Sequence, residues 1–161
     1  MSSEFQLSEE RIAILDAADR YARERLAPLA RRMDDDEWWP DAEFRALGRD
    51  GYLGITVPVE KGGADLDLFA SGLVLQAFAR WNHALALSWV AHENLCMNNI
   101  LRSGTPEQVE RFVPPLCDGR AIGCLGLTEP GAGSDALGSM TSRAVREKFG
   151  RRAGRFGMVE V

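Results

Sequence analysis

The chain has 161 residues, 45% of them hydrophobic and 27% charged, with a formal net charge of −5. That length and composition support one domain, or one and a fraction, with a packed core, and exclude disorder as the default state. The acidic balance argues against nucleic acid as the main partner. Three cysteines and two histidines, none at ligand spacing, point to neither a disulfide framework nor a metal site.

Residues 1–15, MSSEFQLSEERIAIL, lack a basic segment followed by an apolar one, so no secretory leader is expected. The apolar stretch ALALSWVA after His83 is too short to span a bilayer. A soluble, cytoplasmic chain is the expectation. Residues 8–33 carry Ile12, Leu15, Ala18, Ala22 and Leu26 at helical spacing, with Ser8 as cap and Glu9 and Glu10 at the positive end of the dipole. Pro28 is expected to bend or interrupt this helix. DDDEWWP then reads as a solvated turn, and residues 41–50 as a short helix carrying Phe44 and Leu47.

The glycines and Pro58 of residues 51–67 mark a long irregular connection. Helical spacing returns over 67–80, with Leu68, Gly72, Leu75 and Ala79, and over 83–102, with Leu87, Ala91, Leu95, Asn98 and Leu101. The second of these is apolar on more than one face and belongs near the centre of a bundle. In TPEQVERF, Thr105 is the cap, Pro106 the first helical residue and Gln108 the partner in a capping box. Pro114 and Pro115 are expected to end that helix. The four tryptophans read as core and interface residues.

The pattern changes after Asp118-Gly119. AIGCLGLT has no helical period and reads as a mostly buried strand, and SMTSRAVRE alternates weakly as a candidate second strand. Between them lies TEPGAGSDALG. A dinucleotide fingerprint fails here, because Gly131-Ala132-Gly133 is followed by glycine only at 138 and by no clear helix. A P-loop fails because Ser139 stands where lysine is required. On residue chemistry alone, a ligand-free turn stays open beside a ligand-binding loop.

The full string Gly126-Leu127-Thr128-Glu129-Pro130-Gly131-Ala132-Gly133-Ser134-Asp135, with Gly138 after it, resembles the flavin-binding signature of the acyl-CoA dehydrogenase family. The resemblance extends upstream through LGITVPVEKGGADLD and AHENLCMNNILRSGTPEQVERFVPPLCDGRAIG, over roughly residues 8–146. SWVAHENLC is most similar to the isovaleryl-CoA type. It implies a mainly α fold: an N-terminal helical bundle over 1–118, the start of an incomplete flavin-binding β-domain over 119–147, and an atypical basic tail over 148–161. It further implies FAD as cofactor, with Leu125 and Leu127 along the flavin and Thr128 facing the pyrimidine edge. There a fixed donor stabilises the negative charge of reduction. Gly133 and Ser134 would meet the pyrophosphate, where backbone N–H groups of a tight turn suit an anion, and Ser134 would also lie near the acyl-CoA. Asp135 is expected to hold the turn, and His92 to be a core histidine with a satisfied ring.

The implied reaction is α,β-dehydrogenation of an acyl-CoA thioester, short or branched acyl chains favoured, with electrons passing to an electron-transfer flavoprotein. The complete chain would be a homotetramer, with no nucleic acid and no membrane as partner. The family's catalytic glutamate lies in a later helical domain. No glutamate of this chain matches it, so no catalytic residue is assigned and the chain alone is expected to be inactive. A non-catalytic helical binding module and an acyl-CoA oxidase fragment are the alternatives. Residues 143–161 hold 6 Lys+Arg against 2 Asp+Glu, where residues 1–142 hold 13 against 22. A shifted or truncated reading frame is the expected origin of that tail. Its rival is a genuine short protein whose basic tail meets an acidic partner.

Overall fold

The structure is a computed structural model that describes residues 6–142. These are mainly helical, as the sequence implies, and the chain divides into two units after Leu125.

The first unit opens with α1 (Glu9–Tyr21), a wider π-helical stretch (Ala22–Leu26) and α2 (Ala27–Asp35), which run on as one continuous helix. Ser8 caps it, its hydroxyl accepting the Arg11 N–H at 3.3 Å. Pro28 interrupts the α-helical ladder as expected, because it has no N–H to return to Glu24. The ladder answers by widening just upstream, the Ala27 N–H reaching back five residues to Ala22. α3 (Asp41–Arg49) buries Phe44 and Leu47 completely. The connection over 51–67 contains a single 3₁₀ turn, Val59–Lys61, and no other regular element.

α4 (Leu68–Trp81) packs along α1 and α5 (His83–Val90). α5 continues through a second π-helical stretch (Ala91–Met97) into α6 (Asn98–Ser103). The main core joins Ala18, Leu26, Phe44, Leu47, Phe78 and Trp89, with the Phe78 and Trp89 rings edge to face at 5.7 Å. Asn82, 2% exposed, ties the α4–α5 corner to the first helix. Its amide donates to the Leu26 carbonyl at 3.0 Å while its oxygen caps α5 at Leu85.

The inward faces differ from the expected ones by about one residue of rotation. α4 buries Ala70, Leu73, Val74, Ala77 and Phe78, while Leu68 is 62% exposed. In the second helix, Leu85, Trp89, His92, Glu93 and Met97 face inward together with the expected Asn98, while Leu87 and Leu95 face out. α4 is apolar nearly all round, so its period did not fix a face. The π stretch adds residues to a turn and shifts the phase of everything after it.

α7 (Pro106–Cys117) starts with the full Thr105–Gln108 capping box. Its end corrects the expectation, because Pro114 and Pro115 lie inside the helix. Each proline removes a donor to the residue four back, here Glu110 and Arg111. Both of these are exposed, so water can serve their carbonyls. Val113, Leu116 and Cys117 form a second core with Val57 and Met97.

The strand expected over AIGCLGLT is also corrected. Residues 121–128 form no strand, and Ile122, Leu125 and Leu127 are 36–45% exposed. A strand exists only through a partner, and none is present among the described residues. Residues 121–123 are instead held by individual bonds, Ala121 N–H to the Pro115 carbonyl at 2.8 Å and Gly123 N–H to His92 Nδ1 at 3.0 Å. Of the second expected strand, residues 139–142 are not in a strand, and the remainder lies outside the described residues, as does the 148–161 tail. No helix among the described residues is long and apolar enough to cross a membrane, and none of their His, Cys, Asp and Glu side chains group as metal ligands.

Candidate functional site

Leu125 closes the first unit, 44% exposed. Leu127, Thr128, Gly133 and Ser134 belong to the second unit and are all exposed. A tight turn organises them. Glu129 and Ala132 exchange both backbone hydrogen bonds, N–H of Glu129 to O of Ala132 at 2.9 Å and the reverse at 3.1 Å. Thr128 and Gly133 flank this pair, and Pro130-Gly131 forms its tip.

The chain then enters α8 (Ala136–Ser139), with Asp135 as cap. The Asp135 carboxylate accepts the Gly138 N–H at 3.2 Å and the Ser139 hydroxyl at 2.6 Å, so it holds the turn as the sequence implies. The N–H groups of Gly131, Gly133 and Ser134 have no partner among the described residues. A Cβ built on Gly131 or Gly133 would meet nothing within 4 Å. Packing within the chain therefore does not demand glycine there. Bare backbone donors with open space before them suit an anionic group brought from outside, which is what a flavin pyrophosphate requires.

Glu129 is a residue that the sequence did not single out. Its carboxylate accepts Thr141 N–H at 2.8 Å, Thr141 Oγ1 at 2.9 Å and Ser142 N–H at 2.8 Å. The Ser142 side chain first, and then these donors, pull its pKa down to about 2. Glutamate next to a glycine loop and twelve residues before Thr141-Ser142 leaves no periodic trace in a sequence.

His92 is the core histidine that was expected. It is fully buried, edge-on to Phe44 at 5.5 Å. Nδ1 accepts the Gly123 N–H, so Nε2 carries the proton and donates to the Leu116 carbonyl at 3.1 Å. Burial lowers its pKa, which keeps that neutral tautomer in place.

Glu93, 1% exposed, was also missed. It accepts the Gly54 N–H at 2.5 Å and the Ile55 N–H at 3.2 Å, and burial pushes its pKa up to about 7 against those bonds. With Trp89, which donates to the Tyr52 carbonyl at 2.6 Å, and Asn98, which accepts the Thr56 hydroxyl at 3.1 Å, it pins the 51–67 connection to one helix. A signal was available, since Glu93 is the only Asp, Glu, Lys or Arg between Arg80 and Arg102.

The comparisons with known proteins agree with this architecture. Residues 8–120 match the family described as acyl-CoA dehydrogenase, N-terminal domain. The chain is 37% identical over 143 residues to the mitochondrial isovaleryl-CoA dehydrogenase of Bos taurus, covering 88% of this chain and 33% of that protein. A chain in the solved structure of the electron transferring flavoprotein of Acidaminococcus fermentans superposes with a TM-score of 0.79 at 32% identity, over 84% of this chain and 36% of that one. The acyl-CoA dehydrogenase of Bacillus anthracis, solved complexed with FAD, gives 0.77 at 30%, over 86% and 23%. The chain belongs to the acyl-CoA dehydrogenase family. It spans about a third of the length of the curated relatives it matches.

Proposed function

We propose that the chain is the N-terminal part of a flavoenzyme that dehydrogenates an acyl-CoA thioester between its α and β carbons, with FAD as cofactor and short or branched acyl chains favoured. The observation that supports it is the loop over 131–134, whose unpartnered N–H groups and bare glycines follow Thr128 in a chain of this family.

In this reading residues 1–118 are the helical domain and 119–147 open the flavin-binding one. Gly133 and Ser134 hold the pyrophosphate through backbone N–H groups, and Ser134 also borders the acyl-CoA. Leu125 and Leu127 lie along the ring system, and Thr128 offers its hydroxyl and N–H to the pyrimidine edge. A donor fixed in advance costs no reorganisation when charge develops there. FAD, when bound, supplies the hydride acceptor. No residue of this chain is assigned as the base for the α-proton. The chain alone therefore binds and orients but does not turn over. Electrons would pass to an electron-transfer flavoprotein. The complete protein would be a cytoplasmic homotetramer.

Two measurements on the purified chain test this. FAD titrated into it should be bound, with quenching of flavin fluorescence, and absence of binding at saturating FAD overturns the claim that this part of the chain holds the cofactor by itself. With isovaleryl-CoA or butyryl-CoA, no acceptor dye should be reduced. Reduction of the dye by the pure chain overturns the claim that the catalytic base lies elsewhere.

A further inference from the structure

Among its described residues, the second unit has little apolar packing. Ala132 and Ala136 are its buried apolar residues among those whose side chains are described. Two alanine side chains contribute little burial, so polar bonds decide the loop's form. They converge on one residue. The Glu129 backbone pairs with Ala132 at the neck of the turn, and its side chain gathers Thr141 and Ser142 from beyond the loop. Glu129 thus closes a ring from 129 to 142, and Asp135 braces the inside of that ring at Gly138 and Ser139. The Gly131, Gly133 and Ser134 N–H groups sit on the ring with no partner among the described residues. Thr141 and Ser142 donors occupy the Glu129 carboxylate and Gly138 and Ser139 donors that of Asp135, so both negative charges are bound into the ring's own frame.

We propose that Glu129 is a positioning residue for the flavin pyrophosphate. Its carboxylate draws Thr141 and Ser142 back onto the Glu129–Ala132 pair, and so holds the Gly131, Gly133 and Ser134 N–H groups in a loop already shaped for the anion. This rests on the FAD reading above. Glu129 touches no reacting atom in this role. It acts through the backbone it fixes, and preorganisation of that kind raises affinity by removing the ordering cost of binding.

The test pairs amide hydrogen exchange with flavin titration, on the 161-residue chain and on its Glu129→Ala and Glu129→Gln variants. The Thr141 and Ser142 amides should be protected in the wild type, unprotected in Glu129→Ala and intermediate in Glu129→Gln, which keeps one acceptor oxygen. FAD affinity should fall about tenfold or more in Glu129→Ala, an ordering cost of roughly one to two immobilised side chains, and recover in part in Glu129→Gln. Riboflavin, which lacks the pyrophosphate, should bind all three alike. General damage to the unit would instead weaken both flavins together. FAD binding within twofold of wild type in Glu129→Ala overturns the inference, as does an equal loss for riboflavin. If the wild type binds no FAD, the claim that this chain holds FAD by itself fails separately. Exchange then decides the clasp, and unprotected Thr141 and Ser142 amides in the wild type overturn it.

Discussion

Glu93 and Glu129 each accept backbone N–H groups, yet their carboxyls shift in opposite directions, one up to about 7 and the other down to about 2. Hydrogen bonding favours the charged form in both. The difference is water. Glu93 is 1% exposed inside the helical unit, where desolvation outweighs its two bonds. Glu129 keeps its hydration and collects three bonds on top of it. The same contrast separates the two units. Residues 6–125 are held by buried aromatic and aliphatic side chains, and residues 126–142 by exposed polar clasps around two buried alanines. A unit of the first kind supplies stability. A unit of the second kind leaves backbone N–H groups open while contributing little to the core.

The sharpest way to break this comparison is to remove a large apolar group from each side. Trp89 is fully buried, edge to face with Phe78 and bonded through Nε1 to the Tyr52 carbonyl. Trp89→Ala should cost about 3–5 kcal/mol, through lost burial, the cavity and an orphaned carbonyl. Leu127→Ala, at a residue 45% exposed, should stay within about 0.5 kcal/mol. Urea denaturation of both variants checks the pair. Equal losses would mean that the second unit belongs to the same cooperative core.

Glu93 gives the next largest effect, and its sign is fixed by the direction of the shift. A carboxyl whose folded pKa lies above its unfolded value binds protons more tightly when folded. Stability from this group is therefore present below about pH 4.5 and is lost as pH rises towards 7, then stays constant. Relative to Glu93→Gln, the wild type should lose roughly 3 kcal/mol across that window. Denaturant midpoints of both proteins at pH 4.5 and pH 8 measure it. If the wild type instead gains on the variant as pH rises, the Gly54 and Ile55 N–H groups outweigh burial.

Much of the helical unit was legible in the sequence because local chemistry decided it. Ser8, Thr105 with Gln108, and the short helix carrying Phe44 and Leu47 form where the sequence places them, since caps and short helices depend on near neighbours. What was not legible depends on distant partners or on phase. α4 and the helix after it are apolar on several sides, so Leu68, Leu87 and Leu95 were expected inside and lie outside. The π stretch over Ala91–Met97 rotates the later residues in a way that a 3.6-residue count does not register. Residues 121–128 have strand composition without a strand, because sequence records a preference and pairing needs a partner. At the candidate site, the role of Asp135 was readable from turn chemistry three residues away. The clasp of Glu129 spans twelve residues and follows no periodicity.

The smallest expected effect on stability is the most informative about the loop. At Gly119, where φ is +77°, a Cβ would lie 2.4 Å from the Arg45 carbonyl oxygen, so fold geometry alone accounts for glycine. Gly133 has no such reason. A Cβ there meets nothing within 4 Å, and its φ does not lie in the left-handed region. Gly133→Ala should therefore leave the denaturation midpoint unchanged or raise it slightly, by up to about 1 kcal/mol from reduced unfolded-state entropy. Yet the added methyl occupies the space in which a pyrophosphate oxygen would approach the 133 and 134 N–H groups, so FAD affinity should fall while stability does not. A variant that binds FAD as the wild type does would show that the open face at Gly133 is not where the anion comes in. A variant that loses stability and affinity together would show that glycine is required there by the fold, as it is at Gly119.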